Sequence, residues 1–387
     1  NCSRPEGCPY CGDEQINVLS QKRFAKLITD LKFTPSGVKR WCIKYVTGRY
    51  LCRKCNKSFY SDQYPTKGRR FGRGVANWMV YQHVAGRRSF DSILDGLNDL
   101  FDVSLSHTAI TAARTFLASV HSETESHLVQ NLLGSPSICV DETKIAIRGS
   151  RGFVWVFATV ESVVYRFTET REASVVRELL DGYGGVLVSD FYGAYDAIEC
   201  TQQKCLVHLI RDVNDDVARA PFDDELASLA HRFTSVLQPV VETIDRHGLK
   251  RRNLRKFLRQ SDRFRTWVAA QEFQSAAARR YQKRIGKYGT RLFTFLAHDE
   301  VPWNNNVAEN AVKLIAKNRR VFGASFSEKG LREYLLFLSI LQTLRRRGGS
   351  FFRFLSSGET DIDKFLSGRR GKTNESRVTA GMALLRT

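Results

Sequence analysis

The sequence predicts an α/β fold in which a cysteine-rich domain and a helical domain precede a core built around a β-sheet. Three observations predict it: paired Cys-x2-Cys motifs near the start, an amphipathic helical stretch after them, and β-rich segments from Ser137 onwards. With 387 residues, 42% of them hydrophobic, the chain is long enough to bury a sizeable core in two or three domains. Disorder is thereby excluded for most of its length.

The charge is basic and unevenly distributed. The chain has 60 Lys and Arg residues against 40 Asp and Glu, giving a formal charge of +20 that indicates a polyanionic partner, nucleic acid first. Residues 1–70 hold 15 basic and 5 acidic side chains, whereas residues 131–216 hold 8 basic and 13 acidic ones. Such a distribution suits a protein that binds phosphates with its peripheral segments and has carboxylates that bind divalent cations in its central segment. Solvated helix faces without a ligand are the alternative.

Four cysteines fall in two Cys-x2-Cys motifs, within CPYCG and CRKCNKSF. Two residues between thiolates let one tight turn direct both sulfurs to a tetrahedral Zn²⁺, and a second such turn completes a four-sulfur site. Disulfides are the alternative, which an intracellular location disfavours. The sequence therefore predicts a zinc ribbon over residues 1–68 with one structural Zn²⁺ held by Cys8, Cys11, Cys52 and Cys55.

Two amphipathic helices separated by a short turn are predicted after the ribbon, in SFDSILDGLNDLF and HTAITAARTFLASV. Ser106 is the expected N-cap of the second helix, whose apolar residues Ile110, Ala113 and Phe116 are expected to face inward. The pattern is typical of a helix-turn-helix domain, here over residues 69–130, whose second helix enters a major groove. A three-helix bundle that binds nothing is the alternative. The side chains expected to be available to DNA are His107, Thr108, Thr111 and Arg114.

Three consecutive strands are predicted in SICVDETKIAIR and GFVWVFATVESVVYRFTE, which are rich in β-branched and aromatic residues. A helix over residues 171–180, a short strand in VLVSD and a further strand in KCLVHL follow. This order matches a ribonuclease-H-like core, in which the first and fourth strands lie side by side. The core is assigned to residues 131–212 and 301–347, with a basic helical insertion over 213–300 and a C-terminal tail over 348–387.

Both of the strands expected to be neighbours end in aspartate: Asp141 ends SICVD and Asp190 ends VLVSD. Two carboxylates at one sheet edge would repel each other unless a divalent cation lay between them. Two Mg²⁺ ions roughly 3.5–4 Å apart would activate a water or a 3′-hydroxyl and stabilise the leaving oxygen at a phosphodiester. Aspartates that only cap nearby turns are the structural alternative.

A third carboxylate is expected from a helix beside these strands, and Glu309 in WNNNVAENAVKLIAKNRR is the candidate. With Asn306 as N-cap, Glu309 would be the N3 residue and could form a capping box, which is a competing structural role. Glu142 and Glu300 are rivals for the third carboxylate. A basic patch able to hold DNA beside the metals is predicted on the same helix, at Lys313, Lys317, Arg319 and Arg320.

The ordered motifs VDET, GFVWVFAT, GGVLVSDFYGAYD, CLVHLIRD and WNNNVAENAVKLIAKNRRVFGAS resemble the DDE transposases of bacterial insertion sequences, most closely the insertion sequence 66 family. The resemblance covers about residues 137–345. It implies that Asp141, Asp190 and Glu309 are a catalytic triad that cuts transposon ends and joins the freed 3′-hydroxyl to target DNA. It also implies Mg²⁺ as the working metal, with Mn²⁺ as a substitute. The chain departs from the wider superfamily at one position: seven residues after the glutamate, many relatives have Lys or Arg, whereas this chain has Ala316.

The Cys205-x2-His208 motif is similar to a Cys-x2-His signature that follows the second aspartate in several transposase groups. Two ligands do not make a metal site, and Cys200 would add only a third. A structural or DNA-contacting role near the active centre is therefore the expectation for His208.

The expected partners are double-stranded DNA, as transposon ends and as target, and further copies of the chain, at least a dimer, because two ends must be synapsed. The sequence has no run of about 18 uncharged apolar residues and no signal-peptide pattern, so a cytoplasmic, nucleoid-associated protein without a membrane partner is expected. Two competing functions are a catalytically inactive transposase-derived regulator that binds DNA, and a ribonuclease-H-like nuclease that cleaves without strand transfer.

Overall fold

The computed structural model describes residues 1–65, 70–322 and 326–368, with the backbone alone for residues 318–322. Within the described residues, every helix is too short or too polar to cross a membrane. The chain folds into two compact units. The first includes Asn1–Val120 and Ser350–Glu359, and the second consists of His121–Gly349 and Thr360–Leu366.

The cysteine-rich segment of the first unit contains five strands, of which the second and third are long and the other three are short. They are β1 (Ile16–Val18), β2 (Phe24–Thr34), β3 (Gly37–Thr47), β4 (Tyr50–Cys52) and β5 (Ser58–Phe59). The order β1-β4-β5 forms an antiparallel sheet, and β2 and β3 form a separate antiparallel hairpin. The sheet packs on a small core consisting of Cys8, Ile16, Tyr50, Cys52 and Phe59. So small a core needs a cross-link or a metal to be stable.

Three helices follow: α1 (Arg73–Val84), α2 (Phe90–Phe101) and α3 (His107–Val120). The predicted helix in SFDSILDGLNDLF is confirmed, because Ser89 caps α2 by accepting the N–H of Ser92 at 3.2 Å. The helix ends at Phe101, and its C-cap, Asp102, has a left-handed backbone conformation with φ of 51°.

The predicted orientation of α3 is wrong at two positions. Arg114, expected on the DNA-facing side, is 5% exposed, and Phe116, expected to face inward, is 41% exposed. The buried stripe of the helix consists of Ile110, Ala113, Arg114 and Leu117. This is the i, i+3, i+4, i+7 pattern of one helix face, and the fully buried Leu117 takes the inward place predicted for Phe116.

The second unit is built around a five-stranded mixed sheet, which α4 (Ser122–Leu133) precedes in the chain. Strand β6 pairs antiparallel with β7 and parallel with β9, which confirms that the first and fourth predicted strands are neighbours. The order along the sheet is β10-β9-β6-β7-β8. The strands are β6 (Ser137–Ile147), β7 (Ser150–Ala158), β8 (Val163–Thr168), β9 (Val186–Ser189) and β10 (Thr201–Lys204).

The strand predicted in KCLVHL is wrong in its extent. Strand β10 ends at Lys204, and Leu206 already begins a helix, whose N-cap is Cys205. The N–H of Leu206 donates to the carbonyl oxygen of Trp303 at 2.9 Å, so a contact distant in sequence helps to fix this strand-to-helix turn. A run of apolar residues alone does not distinguish a strand from the first turn of a helix.

Helices make up the rest of the second unit. Helix α5 (Ser174–Leu179) lies between β8 and β9 in the chain. The segment predicted as a helical insertion, residues 213–300, is mainly helical. It contains the second half of α6 (Leu206–Arg219), followed by α7 (Asp224–His247), α8 (Arg251–Leu254), α9 (Leu258–Ala270) and α10 (Ala276–Tyr288). Short 3₁₀ turns connect parts of this region.

Two long helices return to the sheet: α11 (Asn306–Phe322) packs on β6 and β7, and α12 (Glu328–Arg346) packs on β8. Helix α12 covers the free edge of β8, because Ser339 and Thr343 accept the N–H groups of Tyr165 and Val163 at 3.0 and 3.1 Å. After α12 the chain returns to the first unit, where it forms α13 (Phe351–Ser357).

Candidate active site

The four cysteines predicted to bind zinc converge at one point of the first unit. One sulfur from each of them lies within 4.8 Å of the others. The Sγ atoms of Cys8 and Cys55 are 3.6 Å apart, as are those of Cys11 and Cys52. Four sulfurs bound to Zn²⁺ at about 2.3 Å would be separated by about 3.8 Å at the edges of a tetrahedron, so the cluster could hold a zinc ion.

In the second unit, the parallel pairing of β6 and β9 places Asp141 beside Asp190. The register pairs Cys139 with Val188, and two more residues along each strand lead to the two aspartates. Asp190 follows β9 directly, as predicted, whereas Asp141 lies inside β6, which continues to Ile147 by pairing with β7. The sheet thus brings both carboxylates to the level where β6 and β9 stop pairing.

Asp141 lies in an environment that disfavours its charge. Burial raises the pKa of its carboxyl to about 7, and the charges of Glu142, Asp190 and Glu309 act in the same direction. The N–H of Glu142, which donates to Asp141 Oδ1 at 2.9 Å, opposes these effects. Three carboxylates therefore act electrostatically on Asp141, and a divalent cation bound among them would relieve the repulsion.

Asn305, which the sequence analysis overlooked, ties the segments that carry the three carboxylates together. Its fully buried side chain donates from Nδ2 to the carbonyl oxygen of Val140 at 2.9 Å, and its backbone N–H donates to Cys205 Sγ at 3.2 Å. The N–H of Cys205 in turn donates to the carbonyl oxygen of Ser189 at 2.8 Å. The residues before Asp141 and Asp190 are thereby joined to the first turn of the helix that carries Glu309.

The expectation that Asn306 caps α11 is corrected by the same contacts. Asn306 is the first helical residue, and the N–H of Glu309 donates to the carbonyl oxygen of Asn305 at 3.0 Å. The capping position is thus one residue earlier than predicted. The three consecutive asparagines of WNNN offered no pattern by which to choose among them, since each is a good N-cap residue.

Glu142 and Glu300, the rivals of Glu309, both have basic partners. The Glu142 side chain is 3% exposed and accepts from Arg171 through Nε at 2.8 Å and Nη2 at 2.5 Å, and from the hydroxyl of Tyr195. The Glu300 side chain, 60% exposed, pairs with Lys250 at 2.9 Å. Arg171 is 44% exposed and lies 4.0 Å over the ring of Tyr192, so its guanidinium borders the acidic site.

Glu309 also faces the Cys-x2-His motif at the start of α6. Its Oε1 lies 3.7 Å from Nδ1 of His208, and ligand atoms of Cys205, His208 and Glu309 all lie within 4.8 Å of one another. Among the described residues, this group and the four cysteines are the two sets of three or more ligands that could hold a metal; Asp141 and Asp190 belong to neither.

The residues predicted to contact DNA differ in accessibility. On α3, His107, Thr108 and Thr111 are exposed, although His107 Nε2 pairs with Asp91 Oδ1 at 2.7 Å. Lys313 and Lys317 are exposed on α11, one and two turns beyond Glu309. The side chains of Arg319 and Arg320 lie outside the described residues.

Comparison with known protein families gives one match. The family model described as "Transposase IS66 family" matches residues 68–333, which is more than half of the chain and includes Asp141, Asp190 and Glu309. No curated protein matches the chain.

Proposed function

The chain belongs to the IS66 family of DDE transposases, and on that premise we propose that it binds transposon ends, cuts phosphodiester bonds there and joins the freed 3′-hydroxyl to target DNA. The observation that carries this proposal is the parallel register that sets Asp141 beside Asp190, within the electrostatic reach of Glu309. Family membership supports transposition in general; the geometry supports the particular chemistry.

The proposed core is ribonuclease-H-like. The strand order β10-β9-β6-β7-β8, with β6 antiparallel to β7 and parallel to β9, supports this assignment because it places the first strand at the centre, next to the fourth. In this assignment the core comprises residues 131–212 and 301–347 and is interrupted by the insertion over 213–300. The proposed organisation also includes three segments outside the core: the ribbon over 1–68, the helix-turn-helix domain over 69–130 and the tail over 348–387.

In the proposed reaction, Asp141, Asp190 and Glu309 hold two divalent cations, Mg²⁺ or Mn²⁺, by carboxylate oxygens. These hard cations prefer oxygen ligands, and the raised pKa of Asp141 supports a site whose carboxylates need a cation to remain ionised together. Bound there, the ions would supply activation of the attacking hydroxyl and stabilisation of the leaving oxygen. The chain itself contributes position: Asn305 fixes the backbone at Val140 while α11 presents Glu309.

Arg171 is a candidate to hold a DNA phosphate at this site. Glu142 and the ring of Tyr192 orient its guanidinium, which remains partly exposed at the border of the carboxylate cluster. Guanidinium groups bind phosphate oxygens in a fixed geometry, and a prepositioned one loses little conformational entropy on binding.

DNA recognition is proposed to use the first unit. One structural Zn²⁺ at Cys8, Cys11, Cys52 and Cys55 would stabilise the ribbon. The exposed residues of α3, His107, Thr108 and Thr111, would contact base edges. In the second unit, Lys313 and Lys317 would contact the DNA backbone near the active site. The chain would act as an oligomer, at least a dimer, because two ends must be held together.

The proposal is tested with a duplex that carries a transposon end, a target plasmid and Mg²⁺. The parent protein should yield nicked ends and joined molecules, and Asp141→Asn and Glu309→Gln should abolish both products while the proteins remain folded. Asp245→Asn, which makes the same change at an exposed carboxylate of α7, is the matched control and should retain activity.

The other outcomes identify the competing functions. Cleavage without joined molecules would indicate a nuclease, and DNA binding without any Mg²⁺-dependent cleavage would indicate a regulator. Undiminished joining by Asp141→Asn would show that the triad is misassigned.

A further inference from the structure

We propose that Cys205, His208 and Glu309 form a second metal site, one that binds a thiophilic divalent cation such as Zn²⁺ beside the carboxylates. Cys205 is the N-cap of α6 and His208 lies in its first turn, whereas Glu309 comes from the start of α11, about a hundred residues later. One donor atom from each residue lies within 4.8 Å of the other two. The site is separate from the four-cysteine cluster, which lies in the first unit.

Two of the donor atoms are buried and lack any other partner. Nδ1 of His208 and Oε1 of Glu309 make no hydrogen bond within the described part of the chain, although both are shielded from solvent. Their separation of 3.7 Å is too long for a hydrogen bond between them. Leaving such atoms unsatisfied is energetically costly, so the arrangement favours a ligand that both can contact.

The separation is close to what a shared tetrahedral ion requires. Nitrogen and oxygen ligands bind Zn²⁺ at about 2.0–2.2 Å, which places two of them about 3.3–3.6 Å apart. The four-cysteine cluster of the same chain shows comparable pre-positioning, with sulfur pairs 3.6 Å apart against an ideal of about 3.8 Å. A small movement of either side chain would bring His208 and Glu309 to binding distance.

Cys205 completes the set with a buried sulfur that lies within reach of the other two donor atoms. The residue is fully buried at the N-cap of α6, and its Sγ accepts the backbone N–H of Asn305 at 3.2 Å. Burial raises the pKa of the thiol, while the N–H groups of His208, Asn305 and Val207 oppose that effect. A thiolate is the form of cysteine that binds metals, and a bound cation would offset the effect of burial on this thiol.

The donor set determines the class of ion. One sulfur, one imidazole nitrogen and one carboxylate oxygen suit Zn²⁺ or a similar transition metal, whereas Mg²⁺ requires oxygen ligands. Three protein ligands would leave a fourth tetrahedral position open. Because Glu309 is also a proposed Mg²⁺ ligand, an ion held at Cys205 and His208 would control the orientation of that carboxylate; this last step depends on the function proposed above.

The site is tested by counting bound metal. Purified full-length protein equilibrated with Zn²⁺ and then dialysed should retain two ions per chain, one at each site. Cys205→Ser and His208→Ala should each retain one, with at least a tenfold weaker second binding event, because losing a ligand costs more than about 1.4 kcal/mol. Cys200→Ser and His298→Ala make the same changes at residues outside the group and should retain two.

Replacing Zn²⁺ with Co²⁺ separates the sites by their spectra. The ribbon would give the absorption of four thiolate ligands, and the second site would add a weaker band from one thiolate that disappears in Cys205→Ser. One ion per chain in the parent, or two ions in both Cys205→Ser and His208→Ala, would overturn the proposal. His208 is only partly buried, so His208→Ala serves as the test if Cys205→Ser fails to fold.

An activity measurement then examines the link to Glu309. If the parent cleaves DNA with Mg²⁺, Zn²⁺ should change the Mg²⁺ concentration needed for half-maximal cleavage in the parent but not in His208→Ala. An identical Zn²⁺ response in the two proteins would refute the shared role of Glu309. A parent that binds two Zn²⁺ but never cleaves would contradict the proposed transposase chemistry and leave the metal site standing.

Discussion

The side-chain amide of Asn305 donates to the carbonyl oxygen of Val140 at 2.9 Å, and so joins the start of α11 to the central strand of the sheet. Val140 precedes Asp141, and Asn305 lies one turn before Glu309. Asn305 is fully buried, and water cannot replace its amide as a donor. The two carboxylate-bearing segments are thus held in a fixed relation by one hydrogen bond between residues far apart in sequence.

Asn305→Ala should therefore destabilise the second unit and reduce activity together. The substitution leaves the carbonyl oxygen of Val140 without its donor, at an expected cost of about 1–3 kcal/mol in the free energy of unfolding. Thermal and urea unfolding measure this cost, and the same preparation is assayed for Mg²⁺-dependent cleavage. Asn304→Ala removes a neighbouring side chain that accepts the N–H of Asn306 at 3.1 Å, and it should have a smaller effect. Equal effects of the two substitutions would show that the bond to Val140 has no special importance.

Removing one of the four proposed zinc ligands should unfold the proposed ribbon selectively. Cys52→Ser is expected to lose the Zn²⁺ of the four-cysteine site and to weaken binding to the transposon end, because the small core around Cys8, Ile16 and Tyr50 cannot support the fold alone. Metal analysis and an end-binding assay measure both effects. Cys42→Ser is the control, since Cys42 is exposed and lies outside the group. A Cys52→Ser protein with its full zinc content and unchanged end binding would refute the ribbon assignment.

Arg114→Ala and Thr111→Ala should distinguish the residues of α3 that pack in the protein core from those that contact DNA bases. Arg114 is buried beside His83, whose pKa is lowered to about 4 by burial, with the nearby charge of Arg114 as a further cause. Its replacement should lower the melting temperature. Thr111 is exposed, so Thr111→Ala should leave the melting temperature unchanged and weaken binding to the specific end more than to random DNA. An equal loss of affinity for the specific end and for random DNA would indicate that Thr111 contacts the DNA backbone instead of the bases.

The contribution of Asp141 to the stability of the metal-free protein should fall as the pH rises from about 4 to about 7. Asp141 has a pKa raised from its ordinary 3.8 to about 7, so in this window the folded protein keeps a proton that the unfolded chain has lost. Unfolding measured in EDTA across this range should show that the free energy of unfolding of the parent falls relative to that of Asp141→Asn. The opposite contribution of His83, whose pKa is lowered to about 4, is present in both proteins and cancels in this comparison. Adding Mg²⁺ at pH 8 should stabilise the parent more than the variant, because binding to the folded state adds stability. An identical pH dependence in both proteins would contradict the raised pKa.

Lys313 and Lys317 should contribute to affinity without affecting sequence preference. Each substitution to Ala is expected to weaken binding to specific and random DNA equally and to reduce the slope of log affinity against log salt by about one. Lys329→Ala, at an exposed lysine of α12 that pairs with Glu333, is the control and should leave the slope unchanged. A loss confined to the specific end would instead indicate base contacts.

Local patterns in the sequence were enough to identify the elements whose signals are short-range. The strands around Asp141 and Asp190, the helix capped by Ser89 and the cysteine pairs all follow from residue periodicity and spacing within a few turns of chain. Family membership likewise follows from motifs that can be read in order along the chain.

Tertiary structure alone decided what depends on partners distant in sequence. Arg114 is buried, and Phe116 is exposed, because the neighbouring helices determine which stripe of an amphipathic helix faces inward. Glu309 meets His208 because α11 packs against the sheet near the start of α6, about a hundred residues away in the chain. Asn305 is distinguished from its two asparagine neighbours by its buried contacts with Val140 and Cys205. Sequence periodicity specifies where a side chain points relative to its own helix or strand, whereas its partners depend on how these elements pack in three dimensions.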